Sequence, residues 1–241
     1  MSRPTTLILA ALEEELTATV RLLQLTTYES VYVGEVGGAT VVAAVTGPGA
    51  SRAARALESL AGAHRPQRVV SVGFAGGLDP SLAGGDVVAV RWVVDGKGGA
   101  YVLDDAMPPR LGGDAADRPV AGTLVTVASP LHAPQDKARA LARWRAAMAD
   151  METFALAGAA MRLGLPLFSV RAVSDPADVA LPEAAMRWVT PEGRTDRAAA
   201  GRFAMLHPGW VPTLMTLGRH ARRGAEGLAR AVAQRLGAVP G

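Results

Sequence analysis

The 241-residue chain contains no cysteine and no apolar run long enough to cross a membrane, and each absence excludes a class of protein. Without cysteine there is no disulfide framework, no thiolate nucleophile and no thiolate zinc site, so the fold does not need an oxidising compartment. Apolar residues make up 49% of the chain and the net charge is only +3, which excludes an intrinsically disordered protein. The composition therefore predicts one domain over residues 1–241 and a cytoplasmic location.

A membrane-spanning helix needs about 20 consecutive apolar residues. The longest uncharged stretches, near Val36–Ser51 and Pro119–Gln135, are interrupted by Gly, Pro and Thr. The apolar run Leu7–Leu12 is followed at once by glutamates, so it predicts a first strand and not a signal peptide. Basic residues crowd Arg187–Arg235 but the overall excess is small, and no nucleic-acid partner is expected.

Short runs rich in Val, Ile and Leu alternate with helix-like segments, which predicts an α/β fold. Strands are predicted at Leu7–Leu12, Val31–Val36, Thr40–Val45, Arg68–Phe74, Asp86–Val93, Thr123–Ala128 and Pro166–Val173. Helices are predicted at Glu14–Gln24, Ser51–Ala61, Pro134–Ala147 and Met151–Leu163. Consecutive strands around residues 31–45 and 68–93 imply hairpins. We therefore expect a three-layer sandwich, with a central mixed, twisted sheet flanked by helices.

One polar, glycine-rich stretch interrupts this pattern between Asp95 and Val120. It surrounds a single short predicted strand, Ala100–Leu103. Loops of that length are often functional lids or mobile segments.

Two glycine-rich turns follow predicted strands. The first, Gly47-Pro-Gly49, precedes a helix, where free backbone N–H groups attract anions, but it lacks the lysine and spacing of a P-loop. The second, Gly73-Phe-Ala-Gly-Gly77, ends a strand at the place where open α/β sheets bind ligands. An ordinary turn explains each cluster, taken alone, about as well as a binding site does.

Charged residues also gather at element ends. Asp150-Met-Glu152 is predicted to begin an apolar helix, and Ser174-Asp175 follows a strand directly. Capping explains acids in such positions, and it suits Asp150 better than Glu152. Arg171 lies inside a predicted buried strand and therefore requires an anionic partner. The four histidines show no ligand spacing, so we expect no metal site and no cofactor.

Five segments, taken in order, resemble the nucleoside phosphorylase and nucleosidase superfamily, and specifically its methylthioadenosine/S-adenosylhomocysteine nucleosidase-like branch. Together they cover most of residues 5–178. The segments are Ala10–Leu16, Thr46–Gly49, Val72–Leu78 followed by Gly85–Val88, Asp150–Glu152 and Val170–Asp175.

The resemblance implies cleavage of the N-glycosidic bond between a purine, here adenine, and a ribose. It makes Asp175, beside Ser174, the general acid at purine N7, and Glu15 the base that activates a water with the help of Arg171. Glu152 would hold the ribose hydroxyls, with Met151 on the sugar and Asp150 close by. Phe74, Ala75 and Gly76 would also contact the substrate; the phenylalanine replaces a small hydroxyl residue found in many nucleosidases.

Water or phosphate can be the nucleophile in this superfamily. Phosphorolytic relatives carry arginines where this chain has the acidic turn Leu12–Leu16 and Ser71. A carboxylate beside a phosphate dianion repels it by about 1 to 4 kcal/mol, so hydrolysis is expected. Gly49, Arg52 and Arg171 form an alternative water or phosphate site, and phosphorolysis stays open.

The region beyond about residue 183 is predicted to be a basic, amphipathic helical extension. Its apolar stripe is Leu214, Leu217, Ala221, Ala225, Leu228, Val232 and Leu236, with arginines largely off it. Two interpretations are open: a helix on an anionic membrane surface, or a helix that packs on the sheet. The tail is similar to that of the hopanoid-associated phosphorylases, which implies a lipid-linked substrate, adenosylhopane.

Two other classes are compatible with the fold. A non-catalytic nucleoside-binding module is hard to reconcile with Glu15, Glu152 and Asp175 occurring together, and a dinucleotide oxidoreductase fits less well. The resemblance also implies a homo-oligomer.

Overall fold

The computed structural model describes residues 3–104, 106–111 and 120–238, with the backbone alone for 108–111. The strands in this part of the chain are β1 Thr5–Ala10, β2 Thr26–Tyr28, β3 Val31–Val36, β4 Ala39–Val45, β5 Arg68–Gly77, β6 Val87–Val90, β7 Trp92–Val94, β8 Ala100–Asp104, β9 Met107–Leu111, β10 Thr123–Thr126, β11 Met148–Asp150 and β12 Leu167–Asp175. The helices are α1 Glu13–Leu22, α2 Ala50–His64, α3 Pro134–Trp144, α4 Thr153–Leu163, α5 Arg197–Leu206 and α6 Val211–Arg235, with 3-10 turns at Ala185–Trp188 and Pro208–Trp210.

These strands form one mixed sheet in the order β2-β3-β4-β1-β5-β11-β10-β7-β8-β9. Strand β12 lies beside β5 and has β6 as its other neighbour. The central pairs β4–β1, β1–β5 and β5–β12 are parallel, whereas β2–β3, β3–β4, β7–β8 and β8–β9 are antiparallel. The expected mixed sheet is therefore confirmed.

Alternate residues of β1 divide between two apolar cores, because successive side chains of a strand point to opposite faces. Leu7 and Leu9 belong to a core shared with α2 and α4, and Ile8 and Ala10 to a core shared with α1 and α6. Helices thus cover both faces of the sheet, which is the three-layer sandwich expected from the sequence.

The prediction of hairpins is right for one region and wrong for another. Strands β3 and β4 pair through Gly37 and Gly38, whose φ values of 57° and 78° suit a tight turn. In residues 68–93, however, β5 and β6 are not paired, because β6 runs antiparallel to β12 instead. The predicted strand Asp86–Val93 is interrupted at Arg91 and forms β6 and β7.

The predicted start of a helix at Asp150 is also wrong. Helix α3 ends at Trp144, before Ala147, because Arg145 takes a left-handed conformation with φ 51°. The chain then forms β11, whose last residue is Asp150, and α4 starts only at Thr153. A three-residue strand is too short to show the alternating pattern by which strands are recognised.

The stretch between Asp95 and Val120 holds β9 in addition to the predicted short strand. Residues 105 and 112–119 of this stretch lie outside the described residues.

The last helix, α6, is buried only in its second half. Its buried residues all lie between Gly224 and Ala233, where it packs on α1 and β12. The interpretation of a helix packing on the sheet is therefore correct for this half. Within the described ranges no helix is long and apolar enough to cross a bilayer. The cytoplasmic location, the single domain and the homo-oligomer stay predictions.

We expect Leu228→Ala to destabilise the protein by about 2–5 kcal/mol, because the side chain is fully buried between α6 and the sheet. Met215→Ala in the same helix is the matched control; this side chain is 63% exposed, and its loss should change stability by less than about 0.5 kcal/mol. Urea unfolding measures both. Equal effects would contradict the assignment of α6's second half to the core.

Candidate active site

The sheet opens where β5 changes neighbours. Residues Arg68–Ser71 of β5 pair with β1, whereas Gly76 and Gly77 pair with β11. Strand β12 stays beside β5 throughout. Such a switch point, beyond the carboxyl ends of the strands, is where open α/β sheets bind ligands.

A cavity of about 180 Å³ occupies this opening. Nine of the predicted site residues line it: Glu15, Phe74, Ala75, Gly76, Asp150, Met151, Glu152, Ser174 and Asp175. The structure thus brings three acids to one place: Glu15 from α1, Glu152 from the turn before α4 and Asp175 from the end of β12. Their chemical roles stay predictions.

Glu15 is buried in the first turn of α1 and is held by three backbone amides. One carboxylate oxygen accepts from the N–H groups of Ala11 and Leu12, both at 2.8 Å, and the other from Phe74 N–H at 2.7 Å. Burial raises the pKa of Glu15 to about 7, although these hydrogen bonds and the charge of Arg171 act in the opposite direction. Glu15 can therefore exchange a proton near neutral pH.

Glu152 lies in the turn between β11 and α4. Its Oε1 accepts from Gly49 N–H at 2.7 Å and its Oε2 from Met151 N–H at 3.3 Å. Burial, followed by the negative charge of Asp150, raises the pKa of Glu152 to about 7. Glu15 and Glu152 also line a smaller cavity of about 10 Å³ together with Arg171, which is at the lower limit of volume for one water molecule.

Arg171 has the anionic partner that its place in a buried strand requires. Its side chain is 3% exposed, and its Nε donates to Asp150 Oδ2 at 3.1 Å. The other four N–H groups donate to Ser71 O, Ser71 Oγ, Val170 O and Thr153 Oγ1. All five donors of the guanidinium are thus used within the protein. The expectation that Arg171 binds water or phosphate directly is not supported by this geometry.

Asp150 lines the cavity, but its carboxylate is already engaged. Oδ1 accepts from Thr126 Oγ1 at 2.8 Å, and Oδ2 accepts from Arg171 and from Thr153 N–H and Oγ1. Asp150 therefore joins β11, β10, β12 and the start of α4. This geometry suits a residue that positions the site better than one that holds the sugar.

Asp175, at the end of β12, is paired with a residue that the sequence analysis did not single out. Lys137 of α3 is completely buried, and its Nζ donates to Asp175 Oδ2 at 2.7 Å. The same Nζ donates to the backbone oxygens of Asp175, Pro176 and Val179. Burial raises the pKa of Asp175, and the nearby charge of Lys137 lowers it.

The sequence did contain a signal for Lys137. It is one of two lysines, and it precedes Ala140, Leu141 and Trp144 at spacings of three, four and seven, on the face of α3 that packs inward. A lysine on an apolar helical stripe is seldom fully buried without a partner.

The glycines of β5 are required by the acids beside them. A Cβ at Gly76 would lie 3.1 Å from Asp175 Oδ2, and one at Gly73 would lie 3.3 Å from Glu15 Oε1. Ser174 Oγ donates to Asp175 Oδ1. Larger residues at either glycine would displace a carboxylate.

The structure brings only part of the expected phosphate site together. Gly49 and exposed Arg52 line one surface cavity with Arg55, although the N–H of Gly49 is taken by Glu152. Arg171 belongs to the buried cavity behind Glu15, so the two arginines expected to act together are not brought together.

Apolar side chains make up most of the remaining lining of the main cavity. Those that are partly exposed, which we call the rim, are Ala11, Leu12, Pro48, Val127, Pro130, Leu131, Leu181, Met186 and Val189. Leu181, Met186 and Val189 were not predicted, because they follow the last matching sequence segment.

Comparison with known proteins agrees with this architecture. Residues 5–206 match the family described as Phosphorylase superfamily. A 5′-methylthioadenosine/S-adenosylhomocysteine nucleosidase of Listeria monocytogenes is 29% identical over 171 residues, covering 61% of this chain and 73% of that protein.

Two solved structures from Helicobacter pylori share the fold. Its 5′-methylthioadenosine/S-adenosylhomocysteine nucleosidase gives a TM-score of 0.68 at 16% identity, covering 99% of this chain and 100% of the other. Its futalosine hydrolase gives 0.67 at 16% identity over 98% of both chains. The chain therefore belongs to the phosphorylase superfamily of enzymes, as its five sequence segments indicated.

Proposed function

We propose that this protein hydrolyses the N-glycosidic bond of an adenine nucleoside. The observation that carries the proposal is the convergence of Glu15, Glu152 and Asp175 on one cavity at the switch point of the sheet. Adenine as the base is taken from the resemblance and from the nucleosidases that the chain is similar to.

Glu15 and Asp175 meet the same strand at neighbouring points. Glu15 is hydrogen-bonded to Phe74 N–H, and Asp175 lies against Gly76, two residues further along β5. A base and an acid can therefore reach one substrate in the same cavity, as the proposed hydrolysis requires.

In the proposed reaction, Glu15 takes a proton from water as the water oxygen attacks the anomeric carbon. The bond from that carbon to purine N9 breaks, and its electron pair moves into the base, which accepts a proton from Asp175 at N7. Free adenine and the free sugar leave, and solvent returns the two carboxyl groups to their starting protonation. Ionised Glu152 would accept hydrogen bonds from the ribose hydroxyls and stabilise positive charge on the sugar.

Two features argue against phosphate as the nucleophile. A buried carboxylate, Glu15, lies where the resemblance puts the phosphate of the phosphorolytic relatives. The N–H donors of Arg171 and Gly49, which the sequence offered for an anion, already have acceptors in the protein.

The second part of the proposal concerns the substituent on the ribose 5′ position of the substrate. The apolar rim favours a nucleoside with an apolar 5′ substituent, such as methylthioadenosine or the larger adenosylhopane that the tail implies. A hydrocarbon body would extend past Leu181, Met186 and Val189 toward α5.

Release of free base from adenosylhopane, methylthioadenosine and inosine, each with and without phosphate, tests the reaction and the substrate together. We expect rates that do not depend on phosphate, a free sugar as product, and the highest kcat/KM for adenosylhopane. A sugar 1-phosphate formed only with phosphate would overturn hydrolysis. Release from the small nucleosides alone would exclude the lipid-linked substrate.

Glu15→Gln should lower kcat/KM by about 10²–10⁴-fold, because the variant has no general base. In the unmodified protein a base must be ionised to act, and the pKa of Glu15 is raised to about 7. The rate should therefore fall about ten-fold per pH unit once the pH drops below about 7. For a glutamate of ordinary pKa the fall would begin only below about pH 4.5. Glu13→Gln, in the same helical turn but bonded to exposed Arg194, is the control and should leave rate and profile unchanged. A near-normal rate in Glu15→Gln would remove this residue from the mechanism.

Lys137→Met should raise the pKa of Asp175, because the cation that lowers it is gone. Asp175 would keep its proton to higher pH, so the basic limb of the kcat profile should move upward. We also expect kcat to fall about ten-fold or more with little change in KM, since the carboxyl group loses its anchor. Lys97→Met replaces the only other lysine, which is exposed, and serves as the control. A fall in kcat with an unmoved basic limb would mean that Lys137 acts on stability alone.

A further inference from the structure

The junction between α5 and α6 carries a cluster of exposed apolar side chains. Met205 is 78% exposed, Leu206 71% and Met215 63%. Trp210, Val211 and Leu214 lie beside them in the chain and are also at least partly exposed. We call this cluster, Met205, Leu206, Trp210, Val211, Leu214 and Met215, the α5–α6 corner.

The corner is not part of the protein core. Helix α5 has no buried residue, and the first buried residue of α6 is Gly224. The described residues include no element that covers the corner. Scattered single apolar side chains are ordinary on a surface, but a contiguous group of large ones marks an interaction site.

The segment that carries the corner is rich in arginine, and its nearest acids along the chain are Asp196 before it and Glu226 after it. From Arg197 to Ala225 the sequence has five arginines and no aspartate or glutamate. On α6, Val211, Met215, Arg219 and Arg222 are spaced by four, four and three residues, so the apolar side chains and the arginines share one helical face. Arg222 donates to Glu226 one turn later, which partly neutralises its charge.

The positive charge and the apolar area together indicate what kind of partner binds the α5–α6 corner. A second copy of the chain would bring arginines against arginines across a two-fold interface, which is unfavourable. An anionic lipid surface offers negative headgroups for the arginines and an acyl boundary for the apolar side chains. We propose that the α5–α6 corner docks on an anionic lipid bilayer, inserting Met205, Leu206 and Met215 at the headgroup boundary.

Docking there would place the active-site rim close to the membrane. Helix α5 is joined to the rim through Phe203, whose ring lies 5.1 Å from that of Trp188. Trp188 ends the 3-10 turn that carries Met186, a rim residue of the main cavity. The docking proposal does not depend on the reaction, because it is measured without substrate.

Sedimentation of the full chain with phosphatidylcholine vesicles, with or without added phosphatidylglycerol, tests the proposal. We expect binding to the anionic vesicles only, weakening as salt is raised. Arg202→Gln and Arg219→Gln should each lower the partition coefficient about five-fold, the effect of one basic residue near such a surface. Arg21→Gln replaces an exposed arginine near the end of α1; it is the control and should have no effect.

The apolar part of the corner is tested separately. Leu206→Glu and Met215→Glu should each reduce binding at least ten-fold, because a charge replaces an inserted side chain. Tyr28→Glu is matched in exposure, at 62%, lies on the β2 edge and should bind as the unmodified chain does. Circular dichroism confirms that each variant is folded.

Two results would overturn the proposal. The first is equal binding to both kinds of vesicle, or binding that the corner variants do not change. The second is a change of oligomeric state in Met215→Glu without a change in vesicle binding, which would assign the corner to a protein interface.

Discussion

The free-energy cost of moving carboxylates from water into the protein interior determines which partners surround this cavity. Four acids surround the cavity, and two buried cations lie among them. Each cation is committed to one aspartate: Arg171 to Asp150 and Lys137 to Asp175. In the described residues, Glu15 and Glu152 have backbone amides as their direct partners and no ion pair, so burial dominates and the pKa of each rises to about 7. Burial raises the pKa of Asp175 as well, although Lys137 acts in the opposite direction. The cations therefore divide the four acids into two aspartates with an ion-pair partner and two glutamates without one.

The same constraint explains why the sheet must open where it does. A carboxylate needs donors, and a closed sheet uses its own N–H groups in the strand ladders. Beyond Ser71, β5 has left β1, and its Phe74 N–H is free to reach Glu15. The glycines at positions 73 and 76 leave space for the acids on either side of β5. Fold and site therefore depend on one strand that changes neighbours.

Much of this arrangement can be read from the sequence, because strand ends and buried charges leave local signals. Acids after apolar runs marked Asp175 and the run Glu13–Glu15, within which the family resemblance singled out Glu15. A guanidinium in a buried strand required the partner that proved to be Asp150. The neighbours of these groups in space leave no such signal. Gly49 appeared able to bind an anion, but its N–H is taken by Glu152, more than a hundred residues away in sequence. The partner of Lys137 was equally invisible, since 38 residues separate it from Asp175.

The final helix shows a different limit of sequence patterns. A single apolar stripe from Leu214 to Leu236 predicts one packed face, yet the stripe cannot indicate how far the sheet extends beneath it. The second half of α6 packs on α1 and β12, and the first half runs past that support. The buried half therefore fixes the position of the whole helix, because it packs on the strand that ends at Asp175. Whatever contacts the exposed half is consequently held at a set distance from the acids, which a flexible tail of the same composition could not achieve.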